Sequence, residues 1–220
     1  MPWPFNGHAK LKRAWRHAPQ PTHTAKRAHM NRSMIRLGFL FLCALLALPS
    51  HAQTTTTAND LERSLVGCWK GQLQYRDYKS GKTYALPLRT EISAINDGVT
   101  FLKQSVFDEG KNRPQVYITT LSMFNKSGTA ITTTGYRAGQ DVETDHADVV
   151  VDHYTDRSHW SERYTSTGMD DNQAAQIRVT VVLTGDQLVS TKEVKPQANP
   201  ASDWIVRNSA TVNRQSSCTP

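Results

Sequence analysis

From Gly67 onward the chain alternates with period two, and this is the feature that most narrows its fold. Over 67–76, Gly67, Trp69, Gly71, Leu73 and Tyr75 share one parity, while Cys68, Lys70, Gln72, Gln74 and Arg76 share the other. Such alternation describes a strand with one buried and one wet face. Asp77 to Lys82, with Ser80-Gly81, reads as a turn. The strand over 84–95 then carries Leu86, Leu88, Ile92 and Ala94 on one side, and Asn96-Asp97-Gly98 closes a tight hairpin of the kind that needs positive φ. The same pattern continues through 99–107, 116–124, 130–136, 147–154, 160–166, 177–183, 188–194 and 204–214, mostly separated by Gly, Asn, Asp or Pro clusters. No segment after Leu65 keeps a helical period. The reading is an all-β chain, an antiparallel up-and-down barrel of about 8–10 strands, with hairpin order favouring a barrel over a sandwich.

Before this region the composition is different. Arg32 and Arg36 flank an unbroken apolar run of 12 residues, Leu37 to Leu48, and Pro49-Ser50-His51-Ala52 ends it with small residues at the two positions a signal peptidase reads. A permanent helical anchor needs roughly 20 apolar residues, so the expectation is export without a membrane anchor. The domain reading is an upstream extension over 1–29, with translation starting at Met30 or Met34, a signal peptide over 30–52 and a mobile Thr-rich lead-in over 53–58. The barrel domain takes 59–220. Cleavage before Gln53 gives a secreted or periplasmic product.

The charge follows this division. The formal net charge of +7 suggests a polyanion partner, yet residues 1–52 hold eight Lys and Arg and no acid. After Ala52, 18 Lys and Arg stand against 19 acids, a net of −1. No nucleic-acid partner is expected, and the sequence leaves the oligomeric state open. Two cysteines remain after cleavage, Cys68 and Cys218, an even number in an oxidising compartment, so a disulfide between them is expected. Ahead of the first strand, Asn59 and Asp60 are read as caps of a short helical turn over 61–65, with Glu62 at its N-terminal end.

The run Leu65-Val66-Gly67-Cys68-Trp69, behind a capped helical turn and ahead of an alternating strand, resembles the opening of the lipocalin and wider calycin barrels. Their hallmark is Gly-x-Trp at the bottom of the first strand, with an Arg of the last strand packed over the Trp. Here Trp204, Val206, Ala210 and Val212 are read as the inner face of the last strand, with Arg214 on the same parity at its end. The resemblance implies structural roles for Gly67, Trp69 and Arg214, with a cation–π contact between the last two. In a meander of even strand number, the first and last strands are antiparallel neighbours, which also brings Cys68 near Cys218. The Thr-Asp-Tyr motif of true lipocalins has no clean match in 141–157.

Chemical motifs are sparse. Asp141, Glu143, Asp145, His146, Asp148, Asp152, His153, Asp156 and His159 form a cluster of ligand-type side chains, but they alternate faces and are read as a solvated loop and edge strand, not a metal site. No nucleophile elbow, zinc-binding run or glycine-rich phosphate loop occurs. No histidine follows His159, so the last strands offer no haem ligand, and no cofactor is expected.

What remains is the barrel interior, where Tyr75, Tyr84, Tyr117, Trp160 and Tyr164 are the expected lining of a site for one small apolar or amphipathic ligand. The functional expectation is an exported, non-enzymatic ligand-binding barrel. Two alternatives are an envelope interaction protein with a packed barrel, and a barrel-mouth hydrolase or isomerase using Asp152, His153 or Glu162.

Overall fold

The computed structural model describes residues 56–77 and 80–218. The extension, the signal segment and its cleavage point lie outside the described residues. One short helix, α1 (Ala58–Ser64), precedes ten strands: β1 (Gly67–Arg76), β2 (Thr83–Ala94), β3 (Thr100–Phe107), β4 (Val116–Phe124), β5 (Ala130–Arg137), β6 (Glu143–Asp156), β7 (His159–Asp170), β8 (Gln173–Thr184), β9 (Gln187–Pro196) and β10 (Ile205–Gln215). Each strand pairs antiparallel with the next, and β1 pairs with β10, so the sheet closes into a ten-stranded barrel without a free edge.

Closure is set by register. Trp69 stands opposite Arg214 and Cys68 opposite Gln215 across β1 and β10. A Cβ at Gly71 would lie 2.0 Å from the backbone oxygen of Thr211, so β10 crosses this point closely enough that only glycine fits. Turn chemistry fixes the hairpins. Asp97 accepts hydrogen bonds from the backbone N–H groups of Val99 and Thr100 at 3.0 and 2.8 Å, beside Gly98 at φ 83°. Asp171 and Asn172 both hold positive φ, 47° and 62°, the geometry a two-residue hairpin loop requires.

α1 lies across the end of the barrel from which β1 starts, hereafter the floor; the mouth is the opposite end. The cap differs from the sequence reading. Thr57 is the N-cap, and Asp60 reaches back to accept from its backbone N–H and hydroxyl at 3.0 and 2.7 Å. Asn59 and Glu62 are buried. Glu62 is turned into the barrel and does not decorate the helix N-terminus. Ala58, Leu61 and Leu65 join the core with Trp69, Leu88, Phe101, Phe124, Val179, Val181 and Leu183.

One part of the last strand's expected inner face is corrected. The β9–β10 register shifts between Val206 and Asn208, which moves Val206 to the outer surface at 51% exposure. Trp204 precedes the strand, with the Arg178 guanidinium 4.2 Å from its ring centroid. The bulged residue, Arg207, instead meets Asp170 of β7, a residue on that strand's buried parity.

Candidate functional site

The floor is tied together through Trp69 and Arg214. Trp69 Nε1 donates to Leu65 O at 2.8 Å, and the Arg214 guanidinium lies 4.3 Å from the Trp69 ring centroid. The same guanidinium donates to Ser64 O at 2.7 Å and Val66 O at 3.1 Å, satisfying carbonyls at the helix exit. Trp160 Nε1 donates to Ser64 Oγ at 3.0 Å. The Cys68–Cys218 disulfide, with Cα atoms 5.1 Å apart, closes the rim beside them. Trp69, Arg214 and the cysteine pair thus meet at one end of the barrel.

Directly above the floor the interior becomes polar. Tyr164 donates its hydroxyl to Glu162 Oε1 and lies 3.4 Å from Glu62 Oε2. Both glutamates and Tyr164 are at most 1% exposed. Burial first, and the neighbouring Glu62 second, push the Glu162 carboxyl up to about 8, so it holds its proton at neutral pH. Tyr164 is driven well above its usual value by burial and by the two carboxyl groups. Lys103 of β3 is lowered to about 8 by burial, opposed by the attraction of Glu62. A cavity of about 30 Å³ lies beside this group, lined by Leu65, Trp69, Thr90, Lys103 and Ser190 among others.

The upper half carries a second charged set. Arg207 binds Asp170 through Nε at 2.8 Å and a terminal nitrogen at 2.6 Å. Lys192 of β9 is held down by burial, against the attraction of Asp170, Asp145 and Glu143. Ser166 donates to Asp145 at 3.3 Å. Hydroxyl pairs fill the belt between, Thr90 with Ser105 at 3.0 Å and Ser122 with Thr133 at 3.1 Å.

At the mouth, Tyr75 and Tyr84 face each other across β1 and β2, with ring centroids 5.8 Å apart and planes 29° from parallel. Both continue the inward register through Leu73 and Leu86, which are partly buried against the core. Tyr84 remains 45% exposed.

The five expected lining residues therefore do not share one surface. Tyr75 and Tyr84 stand at the mouth, whereas Trp160 and Tyr164 are core residues at and just above the floor. Tyr117 is corrected to the outside: it has outward parity on β4, is 62% exposed and donates to Gln115 at 3.0 Å. Sequence reading missed Glu62, Lys103, Asp170, Lys192 and Arg207. Four of them carried a usable signal, since Lys103 and Lys192 fall on the inward parity of β3 and β9, Asp170 on that of β7, and Glu62 is one residue from the buried Leu61. Arg207 carried none, because its direction depends on the bulge.

The residues named for a hydrolase do not converge. Glu162 is inside, while Asp152 pairs with Arg163 at 2.9 Å and His153 is exposed beside Thr155 at 3.0 Å. His146 meets Thr132 at 3.0 Å and His159 meets Asp156 at 3.2 Å, each on its own. Among the described residues no three His, Cys, Asp or Glu side chains are grouped to hold a metal ion. An open groove of about 660 Å³ lies mainly on the outer face of β4 to β8, with Met123, His146, Thr165, Gln176 and Trp204 in its wall.

No protein-family model matches the chain, and no curated protein does. Among solved structures, Rv2717c of M. tuberculosis is similar, with TM-score 0.53 and 10% identity over 73% of this chain and 98% of that one. This likeness shows a shared fold. A protein of unknown function of the DUF3598 family from Nostoc punctiforme aligns at 6% identity over 73% of this chain and 100% of its own, with TM-score 0.22. No described helix is long and apolar enough to cross a membrane.

Proposed function

We propose that this chain is an exported, calycin-like barrel that binds one small amphipathic molecule through its mouth. The observation that supports this best is the contrast along the inward face of β1 and β2. Trp69 and Leu88 are 1% exposed, yet Tyr75, Leu73 and Leu86 are only partly covered and Tyr84 is 45% exposed. Inward-register apolar side chains that are only partly covered towards one end of a closed barrel are a ready wall for a ligand. Tyr75 and Tyr84 supply stacking area with polar tips, and the belt of hydroxyl and charged groups below supplies orientation. Export is supported by the leader pattern over 30–52 and by a Cys68–Cys218 pair suited to an oxidising compartment.

Native mass spectrometry of protein purified from its own host tests the reading. A bound mass of small-molecule size, lost on denaturation and lost in a Tyr75→Ala, Tyr84→Ala double variant, is the expected result. Tyr117→Ala, on the outer face, should keep it. A bound mass indifferent to the mouth variant, or no bound mass from the native host, would sink the proposal.

A further inference from the structure

A barrel wall is convex on its outside, so the open groove of about 660 Å³ across β4 to β8 needs a local cause. The ladder between β6 and β7 shows one. It ends at Asp148–Thr165, although β6 reaches back to Glu143 and β7 runs on to Asp170. The groove lies where that pairing stops. On its β4 to β6 side Met123, Thr132 and His146 form one cross-strand row, and on its β7 to β8 side Thr167 stands opposite Gln176. Trp204 lines it as well, with the Arg178 guanidinium 4.2 Å and the Lys195 ammonium 5.8 Å from its ring centroid, both on the outward register of β8 and β9.

The lining selects by chemistry. It holds one carboxylate, Asp148, and no Lys or Arg, so a phosphate or a polyanion meets no cation in it. It is no apolar slot either. Asp148, Thr165, Thr167 and Gln176 are exposed, and their side chains hold no hydrogen bond among the described residues. Nor does the end of the ladder offer an open strand edge to an extended peptide. Asp145 accepts from the backbone N–H of His146 at 2.9 Å and from the Ser166 hydroxyl of β7 at 3.3 Å, which caps the β6 edge at this point. What the groove presents is one aromatic ring and a set of neutral and acceptor side chains without partners. A pyranose ring matches both, since its flat C–H face packs on an aromatic ring while its hydroxyls donate to a carboxylate and pair with amide and hydroxyl groups.

We propose that this groove is a second binding site, for a neutral glycan chain, with Trp204 as the stacking surface and Asp148, Thr165, Thr167 and Gln176 as partners of the sugar hydroxyls. Five strands at about 4.8 Å spacing give it a span of about 19 Å, longer than one sugar ring, so it suits a chain. It is separate from the mouth. Tyr75 and Tyr84 stand on β1 and β2, and neither strand contributes to it.

Calorimetry with cellohexaose, maltohexaose and N-acetylchitohexaose tests this, beside glucose as a single ring and hexagalacturonate as an anionic chain. At least one neutral hexamer should bind with a Kd of about 1 mM or tighter, and glucose and hexagalacturonate at least tenfold more weakly. With no ion pair formed, the affinity should stay within twofold between about 50 mM and about 500 mM salt. Trp204→Ala should weaken binding at least tenfold, Trp204→Phe less, and Gln176→Ala several-fold. Gln176→Ala, at an exposed position, carries the test should Trp204→Ala fail to fold. The Tyr75→Ala, Tyr84→Ala double variant should bind the glycan as the wild type does. Binding of none of the neutral hexamers, or of hexagalacturonate as tightly as the best of them, overturns the glycan site. So does loss of glycan binding in the mouth variant, or capture of an acetylated peptide of alternating Thr and Val in place of the glycans. The native mass measurement judges the mouth separately in every case.

Discussion

At the floor of the barrel Trp69, Trp160 and Arg214 each reach an oxygen of α1 or of the residues leaving it, whereas at the mouth Tyr75 and Tyr84 stack on each other and Tyr84 stays 45% exposed. Several floor contacts join positions far apart in sequence. Arg214 to Ser64 spans 150 residues, as does Cys68 to Cys218. The Tyr75–Tyr84 contact spans nine positions of one hairpin. One end thus holds the closed fold together, and the other carries the surface proposed to take a ligand. Substitutions at the two ends should separate stability from binding.

The largest effect is expected from the disulfide. Closing a loop of 150 residues restricts the unfolded chain by about 5 kcal/mol in the chain-entropy model. Cys68→Ser with Cys218→Ser should lower the urea midpoint accordingly and leave any binding at the mouth, as proposed, unchanged. A loss well below about 2 kcal/mol would mean that other floor contacts already hold the ends of the chain, since removing a native bridge from a small secreted domain costs about 2–5 kcal/mol.

Next comes Trp69→Ala, which removes a large, 1%-exposed ring and should cost about 3–5 kcal/mol. Arg214→Ala should cost less, and the double variant should lose less than the sum of the two because the cation–π contact is counted in both. Strict additivity in denaturant titrations would break the claim that the two act as a unit.

This end was also the legible one. Gly67, Trp69, Arg214 and the cysteines announce themselves by motif and by their places at the two ends of the meander, and a closed ring of ten strands brings such positions together. The polar interior was legible only in principle. Lys103 sits between Phe101 and Ser105 on an inward parity, and Glu162 sits between Trp160 and Tyr164. A charged residue in that register is either a misread strand or a buried group with a purpose, and alternation alone cannot separate these. Parity failed at Val206 because a single bulge flips every residue on one side of it, and a bulge leaves no mark in the pattern of residue types. Tyr117 was misplaced for a simpler reason: aromatic content was weighed above the parity of β4, in which Ile118, Thr120, Ser122 and Phe124 are the buried set.

The interior should show itself in the pH dependence of stability. Glu162 is raised to about 8, so between its ordinary value of 4.5 and that point the folded state holds a proton that the unfolded chain has lost. Its contribution is therefore full below about pH 4.5 and falls with rising pH by about 1.4 kcal/mol per unit at most. Lys103 is lowered to about 8 from 10.5, so above pH 8 the unfolded chain binds the extra proton and stability from this group rises again. The two together give a minimum near pH 8. Glu162→Gln, measured by denaturant midpoints across the range, should remove the falling limb and keep the rising one. An unchanged profile would place the titrating group elsewhere.

The smallest effect on stability belongs to the mouth, and it is the sharpest test of the contrast. Tyr84→Ala removes a ring that is 45% exposed and stacked on Tyr75 alone among the described aromatic rings, so little buried area is lost and no floor contact is touched. An aromatic pair is worth about 0.5–1.5 kcal/mol beyond area burial, and partial exposure places this one at the low end, near 0.5 kcal/mol. The register of β1 and β2 is held independently by the ladder from Gly67–Ile92 to Arg76–Thr83, so the backbone at the mouth should stay in place. The same substitution removes half of the stacking surface offered to a ligand, and affinity should fall about tenfold if that surface contributes the 1.4 kcal/mol which such a factor represents. Stability and affinity thus move by different amounts at one residue, the reverse of what Trp69→Ala should do. If Tyr84→Ala instead costs as much stability as Trp69→Ala, the mouth is a structural element of the fold and the division between the two ends is wrong.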